Sequence, residues 1–433
     1  MKRTNMMWLV VAAAVSVGID SIADDRAPNI VVILTDDLGY GDIGPYGNTL
    51  IKTPRLDTMA AEGALLTNFY SSANVCTPSR GGLLTGRYPA RLGLAGDVAR
   101  PTNALGIDPN ETTIAEMLKT KGYATACIGK WHLGQKPEQW PTANGFDYFF
   151  GARYSNDMVP FALYRGSDMV EETVDQTTLT EKFTAETVQF MEAHKDAPFF
   201  VYLAHSMPHV PLYVSKKFEG KSAAGLYGDV IEEVDWSVGQ ILDAITRLSL
   251  DESTLVIFTS DNGPWWEGSA GELRNRKGSS WEGGMRVPMI ARWPGKIEPG
   301  TRSDAISMNT DFLPTFAKLA GAEVPADRPI DGRDLWPVLQ GSQQSAHEFL
   351  YLFDGGDIAA VRTQRWKLVV RSWYRQINAE IGAKAYVYYP GLLFDMEQEP
   401  SEMYSYTREN PDVAAKLSGW LEQGKAELQK ATK

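Results

Sequence analysis

Polar residues that could form a catalytic site follow four apolar runs of the sequence. The runs lead to these pairs: Asp36 and Asp37, Lys130 and His132, His205 and His209, Asp261 and Asn262. The first run, residues 29–34, is continuously apolar and rich in β-branched residues, as in a strand buried on both faces, and the other three runs are also predicted to be strands. Because ligands bind beyond the carboxyl ends of strands in an open parallel sheet, we expect these pairs to converge on one crevice.

Four of these residues, Asp36, Asp37, Asp261 and Asn262, offer hard oxygen ligands to a metal ion. Two adjacent carboxylates at the end of a buried strand repel each other unless a cation lies between them. A helix cap or a solvated turn is the alternative interpretation, and it explains one aspartate better than two. Oxygen ligands without a matching cluster of histidine or cysteine favour Ca²⁺ over Zn²⁺, and Mg²⁺ is the alternative ion.

A potential nucleophile, Cys76, begins a segment that is predicted to be helical up to Leu84. A group at a helix N-terminus lies at the positive end of the helix dipole, which suits an anionic substrate. The alternative role for Cys76 is a disulfide with Cys127, the only other cysteine in the chain. We favour free thiols, because Cys127 lies inside an apolar run where cysteine packs as a small hydrophobic residue.

Residues 76–86, with the sequence CTPSRGGLLTG, resemble the signature of the type I, formylglycine-dependent sulfatases. Three further segments resemble motifs of the same family: 36–42 (DDLGYGD), 129–134 (GKWHLG) and 277–288 (KGSSWEGGMRVP). Residues 144–157 resemble the arylsulfatase A branch, except that Asn156 replaces a histidine of that branch. Together these motifs span nearly the whole chain after residue 23, and they imply an alkaline-phosphatase-like fold and sulfate ester hydrolysis.

The resemblance implies a role for each motif residue. A maturation enzyme would oxidise Cys76 to formylglycine, whose hydrated aldehyde attacks sulfur, and the modified Cys76 would join Asp36, Asp37, Asp261 and Asn262 around Ca²⁺. The other implied catalytic residues are Arg80, which contacts the nucleophile; Lys130 and Lys277, which bind sulfate; His132, which hydrogen-bonds the nucleophile; and His209, which protonates the leaving oxygen. His205 is expected either to be structural or to support a neighbouring site residue, and Glu282 and Arg286 are expected to be structural.

Substrate contacts are predicted at two places. The resemblance to the arylsulfatase A branch assigns Ser155, and with it Asp157, to the region around the sulfate. Trp265 and Trp266 lie in a loop after the fourth strand, where their rings could stack on sugars. Filling of the core is an equally good explanation for the two tryptophans.

The elements that must position these residues alternate between strand and helix. Strands are predicted over 29–34, 123–128, 198–203 and 254–259, and helices over 54–63, 76–84, 112–121, 181–194, 226–248 and 311–319. After residue 340 the pattern changes to four short β-type runs, followed by a helix from about 411 to 428. We therefore predict an α/β/α sandwich over 24–340 and a smaller antiparallel sheet with one helix over 341–433.

Export is predicted from the first residues of the chain. Lys2 and Arg3 precede an apolar run, and the small residues at 21–23 suit a signal peptidase. Residues 1–23 are therefore predicted to be a cleaved signal peptide, and the protein is predicted to be secreted or periplasmic. The apolar run is too short for a transmembrane helix. Loss of residues 1–23 would change the formal charge from −12 to −13. This acidity argues against nucleic acid and anionic membranes as partners.

The sequence thus predicts an exported sulfatase that acts on a sulfated carbohydrate, with aryl sulfates as further substrates. One alternative is a formylglycine-dependent hydrolase of phosphonate or phosphate esters, which would share the cysteine signature. Another is an inactive protein that binds sulfated glycans. Such a protein would be expected to lack the cysteine or a metal ligand, and this sequence lacks neither.

Overall fold

The computed structural model describes residues 26–373 and 386–431. Its strands form three sheets. In chain order the strands are β1 (Asn29–Thr35), β2 (Ala64–Leu66), β3 (Phe69–Tyr70), β4 (Ala124–Lys130), β5 (Tyr148–Ala152), β6 (Leu163–Arg165), β7 (Asp168–Glu171), β8 (Phe199–Ala204), β9 (Thr254–Ser260), β10 (Met289–Arg292), β11 (Thr301–Ser303), β12 (Ser307–Met308), β13 (Leu350–Asp354), β14 (Asp357–Arg362), β15 (Trp366–Trp373) and β16 (Tyr386–Asp395).

The largest sheet has ten strands in the order β11-β2-β10-β9-β1-β8-β4-β5-β6-β7. Its five central strands, from β9 to β5, run parallel. The edges are mixed: β10 pairs antiparallel with β9, and β6 pairs antiparallel with β5. The four strands predicted to end in polar pairs are neighbours at the centre of this sheet, so their carboxyl ends lie side by side.

Helices cover both faces of the large sheet. They are α1 (Pro54–Ala61), α2 (Cys76–Thr85), α3 (Ile114–Lys119), α4 (Leu179–His194), α5 (Gly225–Arg247), α6 (Glu282–Met285), α7 (Phe312–Ala320), α8 (Trp336–Leu339) and α9 (Pro411–Ala431). Along β1, Ile30, Val32 and Leu34 pack in one core with α2, α3 and α7, whereas Val31 and Ile33 pack in another with α1, α4 and α5. This alternation confirms the predicted three-layer α/β/α arrangement.

A four-stranded antiparallel sheet, in the order β13-β14-β15-β16, lies beyond the large sheet in the sequence. Leu417 and Leu421 of α9 pack on it in a third core, together with Trp281 and Met285 from the preceding part of the chain. The predicted small sheet with one C-terminal helix is therefore confirmed. The proposed boundary at residue 340 stays a prediction, since this core includes residues from both sides of it.

Strand β4 continues two residues beyond the predicted end and includes Gly129 and Lys130. Gly129 has φ +103°, and a Cβ atom there would lie 1.9 Å from the carbonyl oxygen of Ala204 in β8. Glycine therefore lets β4 approach β8 closely just before Lys130, which a residue with a side chain could not do.

The predicted signal at residues 1–23 lies outside the described residues. Within 26–373 and 386–431, no helix combines the length and the apolar character that crossing a bilayer would require.

Candidate active site

The polar pairs after the four central strands meet at one edge of the sheet. Backbone hydrogen bonds tie the loops together: the Asp36 N–H donates to the Met207 carbonyl at 3.2 Å, and the Asp261 N–H donates to the Thr35 carbonyl at 3.1 Å. Asp36, Asp37 and Asp261 are all buried. The convergence expected from the strand pattern is therefore present in the structure.

Cys76 is the first residue of α2 and lies against the carboxylates. Its Sγ and one carboxylate oxygen each of Asp36 and Asp261 lie within 4.8 Å of one another. Both Cys76 and Cys127 are free, so the disulfide considered from the sequence is not formed. Burial raises the pKa of the Cys76 thiol, although Lys130 and Lys277 oppose this effect.

Three buried cations pair with the carboxylates. Arg80 donates from Nε to Asp261 Oδ2 at 2.9 Å, and its Nη2 lies 2.8 Å from the same oxygen. Lys130 Nζ lies 2.5 Å from Asp36 Oδ2 and also donates to Ser155 Oγ at 3.1 Å. Lys277 Nζ lies 2.6 Å from Asp37 Oδ1. The cations that the sequence predicts to bind sulfate therefore surround the cysteine and the carboxylates.

Burial and neighbouring charges shift the pKa values of Asp36 and Asp261 in opposite directions. Burial acts to raise the pKa of Asp36, but Lys130, His209 and Arg80 outweigh it and hold this pKa well below the usual range. The pKa of Asp261 is raised to about 7, mainly by burial and next by the negative charge of Asp36. Crowded carboxylates in a buried site oppose one another's ionisation, and an added cation would relieve this repulsion.

Two buried oxygens of this group have no hydrogen-bond partner among the described residues: Asp36 Oδ1 and Asn262 Oδ1. The Asp36 oxygen has only an ion-pair contact with Arg80 Nη2 at 3.4 Å. The Asn262 amide nitrogen donates to Asp37 Oδ1 at 2.7 Å, so the amide lies within the carboxylate cluster. Unsatisfied oxygens beside carboxylates fit a hard divalent cation, because such ions take oxygen ligands.

Two histidines line the pocket above Cys76, and each is held by a different contact. His132 Nε2 hydrogen-bonds the Ala99 carbonyl at 2.9 Å, while its buried Nδ1 has no hydrogen-bond partner within the described chain. His209 Nε2 lies 3.7 Å from Asp37 Oδ2. Burial lowers the pKa of both rings, with Lys130 the next cause at His132 and Lys277 at His209.

Two site residues have a backbone conformation that is rare outside glycine. Asp37 has φ +69° and His132 has φ +61°. Such residues cost of the order of 1–3 kcal/mol and persist where the surrounding structure fixes them. The loops after β1 and β4 therefore hold Asp37 and His132 in fixed backbone conformations at this strand edge.

His205 lies away from the pocket. Its Nε2 hydrogen-bonds Ser237 Oγ of α5 at 3.1 Å, and it is fully buried. This contact supports the structural role expected from the sequence, because the ring joins the end of β8 to a helix of the covering layer.

The pocket has a volume of about 300 Å³ and its wall includes Cys76. Of the residues predicted to contact substrate, Ser155 and Asp157 lie in this wall. Trp265 and Trp266 are not among the residues that line this pocket, and Trp266 lines a separate concavity with Arg274 and Arg276. Trp266 is 40% exposed and so does not fill the core, and the stacking of the two tryptophans on a sugar stays a prediction.

Sequence reasoning missed part of the pocket wall, namely Asn74, Asp97, Arg100, Asp354 and Gly355. Asp354 and Gly355 come from the turn between β13 and β14 of the small sheet. Asn74 connects the two parts, since its side chain donates to Asp354 Oδ1 at 3.3 Å. Nothing in the local sequence around residue 354 indicates this approach, because it depends on how the small sheet packs.

A buried ion-pair cluster lies behind the loop that carries Lys277. We name it the Glu282 cluster and define it by Glu282, Arg286, Lys367 and Glu402. Lys367 Nζ lies 2.9 Å from Glu282 and 2.8 Å from Glu402, and the Glu282 N–H donates to Glu402 at 2.8 Å. The cluster joins α6 to the small sheet, which supports the structural role expected for Glu282 and Arg286.

Comparisons with known proteins agree with the motif resemblance. The family model described as Sulfatase matches residues 28–322, and the model described as N-sulphoglucosamine sulphohydrolase, C-terminal, matches residues 276–427. Arylsulfatase A of Homo sapiens is 37% identical, with 89% of this chain and 84% of that protein covered. N-acetylgalactosamine-6-sulfatase of Canis lupus familiaris is 37% identical, with 84% and 76% covered. A structure solved in work on the metabolism of glycosaminoglycans by Bacteroides thetaiotaomicron has a TM-score of 0.84 at 29% identity, with 93% and 100% covered.

Proposed function

The chain belongs to the sulfatase family, which consists of sulfuric ester hydrolases, and we propose that it hydrolyses a sulfate ester of a carbohydrate at Cys76. One observation carries this proposal: Cys76 Sγ lies within 4.8 Å of the Asp36 and Asp261 carboxylates, in the wall of a pocket that also includes Lys277 and His209. A nucleophile, anion-binding cations and a proton donor are then available at one place.

The nucleophile that we propose is formylglycine, made from Cys76 by a maturation enzyme. The thiol itself is poorly suited to attack, because burial raises its pKa and keeps it protonated. Hydration of the aldehyde would supply a hydroxyl group instead. The position at the N-terminus of α2 also favours negative charge as that hydroxyl attacks.

The metal that we propose is Ca²⁺, with Mg²⁺ as the alternative, held by Asp36, Asp37, Asp261, Asn262 and the modified Cys76. The unsatisfied oxygens of Asp36 and Asn262 support this set. When bound, the ion would polarise a sulfate oxygen and lower the pKa of the attacking hydroxyl.

The buried cations would stabilise the charge of the sulfate group. Lys277 lines the pocket, and Lys130 and Arg80 are buried close enough to Cys76 to interact with it electrostatically. Because these cations are already positioned in a buried site, they need little reorganisation when negative charge develops on the sulfate oxygens.

Proton transfers would be divided between the two pocket histidines. His209 would donate a proton to the departing alcohol. His132 would then accept a proton from the free hydroxyl of the sulfated residue 76, so that the C–O bond to sulfate breaks, sulfate leaves and the aldehyde re-forms. Both histidines line the pocket that contains Cys76. Such positioned acid and base groups contribute about 10²–10⁴-fold each in enzymes generally.

A carbohydrate is the proposed alcohol because several relatives are named for sulfated sugars. N-acetylgalactosamine-6-sulfatase is one, and a solved structure at 28% identity contains a neocarrahexaose. Ser155 and Asp157 would contact the sulfated sugar. We further propose export through residues 1–23, and a division into a catalytic part over 24–340 and a C-terminal part over 341–433.

Turnover of a panel of esters tests the proposal. Protein co-produced with a formylglycine-generating enzyme should release sulfate from an aryl sulfate and from at least one sulfated saccharide in the presence of Ca²⁺, and Cys76→Ala should abolish both activities. Faster release of phosphonate or phosphate would favour the alternative hydrolase. Binding of sulfated glycans without turnover would favour the inactive binding protein.

A further inference from the structure

A second cavity, of about 310 Å³, lies next to the active-site pocket. We name it the Arg153 cavity. Its wall includes Pro101, Gln135, Arg153, Tyr154 and Tyr164, so it combines aromatic rings with one cation and one amide. This composition resembles that of small-molecule sites, which are largely apolar with a few polar groups that fix orientation.

The Arg153 cavity and the active-site pocket share a wall. Tyr154 and Pro101 line the cavity, whereas their chain neighbours Ser155 and Arg100 line the pocket. Consecutive Cα atoms are about 3.8 Å apart, so at each of these places adjacent residues line the two spaces. The Arg153 carbonyl also accepts a hydrogen bond from the His132 N–H at 3.0 Å. A sugar bound in the pocket could therefore extend towards the cavity.

Arg153 is held rigidly by aromatic rings. Its guanidinium carbon lies 3.5 Å from the centre of the Trp140 ring and 3.7 Å from the centre of the Tyr164 ring. Stacking on both faces leaves only the N–H edge of the guanidinium for hydrogen bonds. The two rings thus fix the direction in which the donors point.

The donors of Arg153 are largely unused. Across residues 26–373 and 386–431, no carboxylate forms an ion pair with it, and its hydrogen bond to the Ser167 carbonyl is long at 3.4 Å. The buried Nε has no partner in the same part of the chain. The protein has a net charge of −12, so a partly buried arginine without an acidic neighbour is suited to an external anion.

We propose that the Arg153 cavity binds an anionic group, a sulfate or a carboxylate, on the sugar adjacent to the one that is desulfated. This proposal rests on the proposed function, because it takes the sulfated sugar to occupy the pocket beside Cys76. It identifies the substrate as an oligosaccharide with at least two anionic groups. Arg153 is then a residue that determines specificity and takes no part in the chemical step.

The test compares disaccharides that share one hydrolysed sulfate and differ only in the neighbouring sugar, which is neutral, carboxylated or sulfated. The variants are Arg153→Gln and Arg153→Lys, with Arg408→Gln as a control. Arg408 is exposed on the surface. We expect wild type and Arg408→Gln to have a kcat/KM at least about tenfold higher for one of the charged disaccharides than for the neutral one. Arg153→Gln should lose this preference through KM, and Arg153→Lys should retain part of it.

A small aryl sulfate separates this role from a structural one. Arg153→Gln should hydrolyse it at the wild-type rate, whereas equal losses on the aryl sulfate and on every disaccharide would assign Arg153 to folding and overturn the proposal. Equal wild-type rates on neutral and charged disaccharides would also overturn it. The two charged substrates distinguish sulfate from carboxylate as the bound group.

If no ester is hydrolysed at all, the proposed function is contradicted, but anion binding in the Arg153 cavity can still be measured by calorimetry. The probes are the same disaccharides without the hydrolysed sulfate. Tighter binding of a charged disaccharide than of the neutral one, lost in Arg153→Gln, would support the cavity by itself. Equal binding by wild type and Arg153→Gln would overturn it.

Discussion

His209 lies in the pocket wall beside Asp37, at the position proposed for the acid that protonates the leaving alcohol. A sugar alkoxide needs this proton more than a nitrophenolate, which leaves readily without it. We therefore expect His209→Ala to lower kcat for a sugar sulfate by about 10²-fold or more, and for 4-nitrophenyl sulfate by much less. Steady-state kinetics on both esters measure the difference. Equal losses on the two substrates would contradict the role of His209 as the acid.

A matched control for this experiment is His194→Ala. His194 lies at the C-terminal end of α4, where its Nδ1 contacts the Phe190 carbonyl of the same helix, and it does not line the pocket. We expect no change in the ratio of the two rates for this variant.

His205 provides a pH-dependent prediction about stability. Burial lowers its pKa from 6.5 to about 4, so between these values the unfolded chain binds a proton that the folded protein does not. The contribution of His205 to the free energy of unfolding is therefore complete above pH 6.5 and falls as the pH decreases towards 4. Between pH 4 and 6.5, we expect His205→Gln to reduce the slope of the free energy of unfolding against pH by up to about 1.4 kcal/mol per pH unit. Urea unfolding at several pH values measures this slope. An unchanged slope would contradict this account.

At the residue scale, the sequence predicted which side chains would meet but not what surrounds them. Asp36, Lys130 and Asp261 were expected to meet because each follows a strand of the same parallel sheet. Arg100 and Asp354 were missed, because a loop and the turn of a separate sheet bring them to the pocket, and such approaches over long sequence distances leave no local pattern.

At the scale of elements, the pattern of apolar residues predicted the central strands β1, β4, β8 and β9 and the helices α1 to α5, α7 and α9 to within a few residues. The largest difference at the site is the end of β4, where Gly129 allows the strand to continue through Lys130. Half of the described strands were not predicted, among them β5 and β10 of the large sheet and the short strands β6, β7 and β11. Runs of three or four residues with exposed positions carry too little apolar pattern to be distinguished from loops.

The Glu282 cluster gives a prediction about the joint between the loop that carries Lys277 and the small sheet. Lys367 is fully buried and lies between Glu282 and Glu402, so Lys367→Met would leave two buried carboxylates without their shared cation. We expect the free energy of unfolding to fall by about 3–5 kcal/mol. Chemical denaturation measures the change.

Lys416→Met is the matched control for Lys367→Met. Lys416 lies on the exposed side of α9, 3.8 Å from Glu348, and such surface pairs contribute at most about 1 kcal/mol. Equal losses of stability in the two variants would show that the Glu282 cluster has no special weight in joining the two sheets.

At the scale of the whole molecule, the active site depends on both sheets. The ends of β1, β4, β8 and β9, the loops after them and α2 supply the carboxylates, cations and histidines, and the turn of the small sheet supplies Asp354 and Gly355 to the pocket wall. The family and the three-layer architecture could be predicted from the sequence, because motifs and strand order are local or regular features. The contribution of the small sheet to the pocket wall could not be predicted from the sequence.

Metal binding should stabilise the whole fold, because the proposed ligands come from two strands and a helix that are distant in the sequence. At a Ca²⁺ concentration about 100-fold above the dissociation constant, we expect the free energy of unfolding to rise by about 2.7 kcal/mol. Thermal denaturation with Ca²⁺ or with a chelator measures this rise. Asn262→Leu should abolish it, whereas Asp168→Asn, on an exposed edge strand, should leave it intact. No shift in the wild type would contradict the proposed metal site.

The chemical state of residue 76 tests the central claim most directly. Peptide mass spectrometry should be applied to active protein that has been co-produced with a formylglycine-generating enzyme, with the buried Cys127 as the internal control. We expect residue 76 to show the mass loss from thiol to aldehyde, while Cys127 remains a thiol. An unmodified thiol at Cys76 in protein that hydrolyses sulfate esters would contradict it.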